Sequence, residues 1–146
     1  MFFNTDFLIS DEIFLKLDRT VNANEEKQWL PAYHFKICKI DGTDVGNCDL
    51  RIGHNLNTYY GGNISYTVKP EYRGNHFASK ACFLLFELAK KHDMKYIIIT
   101  CNPNNKASRK TCEYAGGVLE KIIDLPIDNE MYLQGSKEKC LYKFLL

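Results

Sequence analysis

No CxxC pair occurs in this chain. Its six cysteines, at 38, 48, 82, 101, 112 and 140, follow no spacing of a disulfide or metal framework, so no metal is expected. The first residues, MFFNTDFLISDE, put no basic stretch ahead of their apolar ones, and Asp6 interrupts them. They do not read as a signal peptide, and reduced thiols in the cytoplasm are the expectation. No apolar run approaches membrane-spanning length, so no membrane role is expected. An excess of one charge is missing too: 19 Lys and Arg against 18 Asp and Glu leave +1. That balance gives no electrostatic reason to expect a nucleic-acid partner. A glycine-rich loop ending in Lys-Ser or Lys-Thr is also absent, which argues against nucleotide binding of the P-loop kind. There is no repeat, low-complexity tract or Pro/Gly-rich linker. With 45% hydrophobic and 25% charged residues, positions 1–146 read as one domain with its own core.

What is present is a change of period. EIFLKLDRT alternates Ile13, Leu15 and Leu17 with polar neighbours, and AYHFKICKI and DVGNCDLRIGH continue in the same way, which predicts three strands. The segment between the first two, VNANEEKQWLP, reads as a short helical turn or loop. HNLNTYYGGN turns the chain toward a fourth strand, NISYTVK. After Pro70, Phe77, Ala81, Leu84, Leu85 and Leu88 recur at helical spacing, with Lys90, Lys91 and His92 at the negative end of the helix dipole. MKYIIITC is a continuous apolar run of strand length, expected to be buried. NPNNKASRKTCEYAGG opens on Asn and Pro and closes on two glycines, as a second helix does. GVLEKIIDL and KCLYKFLL supply two more strands, and the apolar last one is a candidate edge for a homodimer. The order predicts an α+β fold: a mixed, mostly antiparallel sheet of about seven strands with helices on its faces. The fourth and fifth strands, joined by the long helix in a right-handed crossover, are expected to be parallel neighbours.

Between the fourth strand and the long helix lies RGNHFAS, Arg73 to Ser79. A helix start presents unpaired N–H groups and the positive end of the dipole, which together favour an anion. Gly74 permits close backbone approach and Arg73 adds a cation.

NISYTVKPEYRGNHFASKA followed by YIIITCNPNNKASRKTCEYAGG resembles the acetyl-CoA-binding half of the GNAT family of N-acetyltransferases, over Asn63 to Gly117. The family loop reads Arg/Gln-x-x-Gly-x-Gly/Ala, and Arg73 and Ala78 match its first and last positions. The resemblance implies an enzyme that transfers an acetyl group from acetyl-CoA to an amine by direct attack in a ternary complex. The acceptor is a small molecule or a peptide. It implies that Tyr66, Thr67 and Val68 face the pantetheine arm, that amides from Arg73 through Gly74, Asn75, His76, Phe77, Ala78 and Ser79 hold the pyrophosphate, and that Asn102, Asn105 and Ser108 contribute hydrogen bonds. The fourth and fifth strands splay, and the thioester lies in the gap. A catalytically weak acyl-CoA-binding or regulatory module on the same fold is the alternative.

Two positions depart from the family. His76 stands where the loop has glycine; an ordinary helical φ is expected there, with the imidazole turned away from the phosphates. Cys112 stands where many members carry a tyrosine as general acid. It reads either as a proton donor or as a small buried residue. Tyr66 is a further catalytic candidate in the gap. His54, at the end of the third strand, is the base candidate by chemistry, because imidazole titrates near neutrality. Asp49 and Arg51 share a strand face and read as an anchor for a charged acceptor or as a surface ion pair.

Overall fold

Alternating side chains build the first sheet. β1 (Ile13–Val21), β2 (Ala32–Lys39), β3 (Asp44–Arg51) and β4 (Ile64–Val68) pair in that order by antiparallel ladders. This is a computed structural model, and it describes residues 1–146. Tyr33, Phe35, Ile37, Cys48, Leu50 and Ile64 point to one face and are buried. His34, Lys36, Asp49, Arg51 and Ser65 occupy the other face, which no long helix covers. In β1 a register shift falls between Leu17 and Arg19; Leu17 pairs with Phe35 on the core face but lies exposed.

α1 (Leu56–Gly61) is a short helix where the sequence reading has only a turn. Its signal is Asn55-x-x-Thr58: each side chain of the pair caps the other's backbone N–H. α2 (Phe77–Lys91) lies on the buried face of the first sheet, against β1, β3 and β4. Its core stripe is Ala78, Ala81, Cys82, Leu85, Leu88 and Ala89, so the expected Phe77 and Leu84 sit at the border instead.

β5 (Tyr96–Cys101), α3 (Lys106–Tyr114), β6 (Val118–Asp124), α4 (Glu130–Leu133) and β7 (Glu138–Leu145) complete the chain. The last three strands form a second antiparallel sheet in the order β5-β7-β6. The closing strand is therefore central, hydrogen-bonded on both sides. Its apolar residues Cys140, Leu141, Tyr142 and Phe144 are buried, and it cannot serve as the dimer edge expected from sequence. No helix is long and apolar enough to cross a membrane.

The α+β class holds, but the seven strands divide into four and three. No ladder joins β4 to β5. The expected parallel neighbours are related by the long helix and by one buried residue, described next.

Candidate functional site

Asn63, immediately before β4, replaces the missing ladder. Its N–H donates to Ile98 O (2.6 Å), and its Oδ1 accepts from Ile98 N–H (2.9 Å). Its Nδ2 donates to Gly53 O (2.7 Å) and Arg51 O (3.2 Å), and Arg51 N–H donates back to its carbonyl. The residue is fully buried with every polar group paired, so its burial carries no desolvation debt. A Cβ on the preceding residue, Gly62, would fall 3.1 Å from Ile98 O and Thr100 N, and its φ is +83°. Glycine is required there for the close approach. Beyond this staple the two sheets part.

The gap side of β4 follows from alternation. Lys69 N–H donates to Val45 O, and Asn63 O accepts from Arg51 N–H, so odd-numbered backbone groups face β3. Ile64, Tyr66 and Val68 then turn their N–H and C=O toward β5. Thr67, expected to line the gap, has its backbone directed at β3 and its side chain on the exposed outer face. Arg73 Nε donates to Val68 O (3.2 Å), which fixes the loop to the strand end.

At the start of α2 the chain takes two left-handed turns, Gly74 at φ +90° and His76 at φ +61°. The expected helical φ at His76 is wrong. The residue adopts the conformation a glycine would take, and histidine is among the side chains that tolerate it. The cost is about 1–2 kcal/mol. The imidazole lies flat on the ring of Tyr114, with centroids 4.0 Å apart and planes at 12°. Such a stack contributes about 0.5–1.5 kcal/mol, the same order as the strain. His76 makes no side-chain cap. No group of the chain accepts from the amides of Asn75 to Ser79, and the first helical bond runs from Lys80 N–H to His76 O. The Asn75 and Ser79 side chains are occupied elsewhere: Asn75 Nδ2 donates to Tyr72 O, and Ser79 Oγ donates to Thr111 O.

Across the gap, α3 presents Ser108 and Cys112 to Tyr66. The phenol lies 2.7 Å from Ser108 Oγ and 3.8 Å from Cys112 Sγ. Burial raises the phenol above its ordinary range, so it is protonated at neutral pH. Cys112 is fully buried, and burial pushes its thiol up to about 12. In that environment Cys112 stays a protonated thiol packed next to Tyr66. Asn105 caps α3, its Oδ1 accepting from Ser108 N–H. Asn102, at the end of β5, has a buried Oδ1 that nothing in the chain satisfies.

His54 is not in this assembly. Its ring stacks on Tyr96 at 4.0 Å, at the first residue of β5, whereas α3 follows the last. At about 3.3 Å per residue the two ends of β5 are ~16 Å apart. Burial against that ring lowers its pKa, and its place is the end of β5 away from α3. Asp49 and Arg51 do form an ion pair at 2.9 Å, with His34 at 3.7 Å from the same carboxylate. They lie on the outer face beside a groove of about 350 Å³ that also touches Thr67 and Lys69. Sequence reading missed Asn63, Tyr114 and His34. None of them has a local signal, because their partners lie on other elements.

Comparison with known proteins is consistent with this geometry. Residues 10–118 match the family model described as an acetyltransferase (GNAT) domain. The microcin C7 self-immunity acetyltransferase, solved with acetyl-CoA and AMP, superposes with a TM-score of 0.63 at 23% identity, over 79% of this chain and 61% of that one. A Vibrio cholerae protein described as a ribosomal-protein-serine acetyltransferase gives 0.68 at 16% identity, over 99% of this chain and 100% of its own. Mycobacterium smegmatis RimJ, in complex with CoA-disulfide, gives 0.61 at 20% identity, over 78% and 53%. The chain thus spans about three-fifths of the first of these and about half of the last. No curated protein matches. Since the matched segment covers most of the 146 residues and takes in β4, the α2 start and α3, the chain belongs to the GNAT acetyltransferase family.

Proposed function

We propose that the protein is an N-acetyltransferase that takes acetyl-CoA as donor and passes the acetyl group to an amine of a small molecule or peptide, by direct attack in a ternary complex. The observation that carries this is the unpaired gap edge of β4, closed at Asn63 and leading to the uncapped start of α2. An extended, amide-bearing arm fits a strand edge, and phosphates fit a helix start.

The residues present suit that donor. The N–H and the carbonyl of Tyr66 would pair with the arm. The orphaned Oδ1 of Asn102 supplies a buried acceptor for one more N–H. Amides of Asn75 to Ser79, with the Arg73 guanidinium nearby, would hold the pyrophosphate. Val68 N–H would stabilise negative charge developing on the carbonyl oxygen. The Tyr66 phenol, held by Ser108, would give its hydrogen bond to the departing thiolate. Cys112 would pack beneath it.

One observation favours a second reading, a catalytically weak acyl-CoA-binding module. Neither β4 nor β5 carries a carboxylate or histidine, so the strands flanking the gap supply no base. Orientation alone would then have to provide the rate, with the amine arriving neutral. Thermal shift with acetyl-CoA, CoA and ATP tests the donor, since a ligand that prefers the native state raises its stability. Stabilisation by ATP alone would remove the donor reading. Thiol release from acetyl-CoA across an amine panel then separates enzyme from module: turnover above the hydrolysis background supports transfer, and none supports binding only.

A further inference from the structure

We infer that Tyr114 is a positioning residue: by stacking on His76 it keeps the Arg73–His76 loop in the left-handed conformation that leaves the α2 amides free together. This rests on the donor reading above and concerns the phosphate end of that site.

Hydrogen bonds tether two of the four loop residues, Arg73 and Asn75. Arg73 bonds to Val68 O through its side chain and to Pro70 O through its N–H. Asn75 bonds to Tyr72 O, and its own carbonyl accepts from Lys80 Nζ. Gly74 needs no tether, because φ +90° costs glycine nothing and no atom would crowd a Cβ there. His76 holds φ +61° with no hydrogen bond from its imidazole. Its imidazole packs on the Tyr114 ring.

Tyr114 is suited to this and to little else. It is 54% exposed, so it contributes little to the core. It comes from a helix that is itself fixed: Ser79 Oγ bonds Thr111 O, and the Tyr142 hydroxyl bonds both Arg109 and Glu113. The ring is thus delivered against His76 from a rigid platform. Without it, His76 is free to return to negative φ, and that rotation re-aims the peptide groups on either side. The amides no longer converge, as a nest for an anion requires.

A mutant cycle tests this: the unmodified protein, Tyr114→Ala, His76→Gly and the double variant. CoA affinity is measured by calorimetry, and affinity for pantetheine, which lacks the phosphates, by ligand-observed NMR. Urea midpoints without ligand check folding, and Tyr114→Phe serves as the conservative control. Tyr114→Ala is expected to weaken CoA by about 3- to 10-fold, the equivalent of one lost stack, and to leave pantetheine unchanged. Tyr114→Phe is expected to bind CoA like the unmodified protein, and His76→Gly serves as the background in which the stack no longer matters. In the His76→Gly background the alanine substitution should have no further effect, because glycine keeps positive φ unaided. Equal losses in both backgrounds, or equal losses for CoA and pantetheine, would overturn the role of Tyr114 while leaving the donor site intact. Absence of CoA binding in the unmodified protein would instead overturn the donor reading and this inference with it.

Discussion

The Tyr66 hydroxyl and Ser108 Oγ lie 2.7 Å apart, a hydrogen bond that bridges the gap between the edge strand β4 and α3. Cys112 of α3 lies 3.8 Å from the same phenol, which comes from the opposite wall. The phenol proton stays bound through neutral pH, because burial raises its pKa. The side chain is therefore a donor in the gap and not a base.

Tyr66→Phe removes that donor and leaves the ring. The expected outcome is a fall in kcat of about 100-fold, with KM for acetyl-CoA within about threefold, the pattern of an interaction made mainly in the transition state. Steady-state thiol release measures both. An unchanged kcat would reduce Tyr66 to packing.

Asn63 joins the two sheets with hydrogen bonds from both its backbone and its carboxamide. Asn63→Ala leaves Ile98 N–H, Gly53 O and Arg51 O without that partner in a buried setting. At about 1–3 kcal/mol for each group left unsatisfied, and with partial relaxation, the loss of unfolding free energy should be about 3 kcal/mol. Urea denaturation reads it. A loss below about 1 kcal/mol would show that the sheets are held together by other contacts.

His54→Gln should leave turnover and its pH profile within twofold of the unmodified protein, since the ring stacks on Tyr96 at the far end of β5. The stability loss should stay below about 1 kcal/mol, the scale of an aromatic stack at a partly exposed site. A kcat reduced tenfold or more would move the transfer site to that end of the strand and refute the gap assignment.

Features written in contiguous residues were legible in the sequence. The strands follow from alternation, the long helix from its apolar spacing, and its uncapped start from the Arg73-Gly74 loop before it. Features that depend on a partner elsewhere in the chain were not. Whether β4 and β5 share a ladder turns on the Asn63 carboxamide, and the sequence shows only an asparagine next to two glycines. An apolar strand reads alike at an edge and at the centre of a sheet, so β7 was placed at the rim. The φ of His76 depends on Tyr114, far along the chain. The titration range of His54 is legible in its residue type, whereas its place on Tyr96, at the far end of β5 from α3, depends on the fold.

Alkaline pH should destabilise the fold through its buried thiols. From an ordinary value of 9.0, Cys112 is raised to about 12 in the folded chain; Cys48 and Cys82 are also raised, all by burial first. Between pH 9 and 12 the unfolded chain loses protons that the native state retains. The unfolded state then binds fewer protons, and stability falls as pH rises. This contribution is fully present below pH 9 and is lost on the way to the folded pKa. Each such thiol steepens the decline by up to about 1.4 kcal/mol per pH unit. Urea denaturation from pH 7 to 11 should therefore give a plateau followed by a decline that begins near pH 9. Cys112→Ala should make that decline shallower by one group's worth while lowering the plateau through the lost packing. A decline of equal slope in the variant would mean that Cys112 ionises in the folded protein as readily as in the unfolded one.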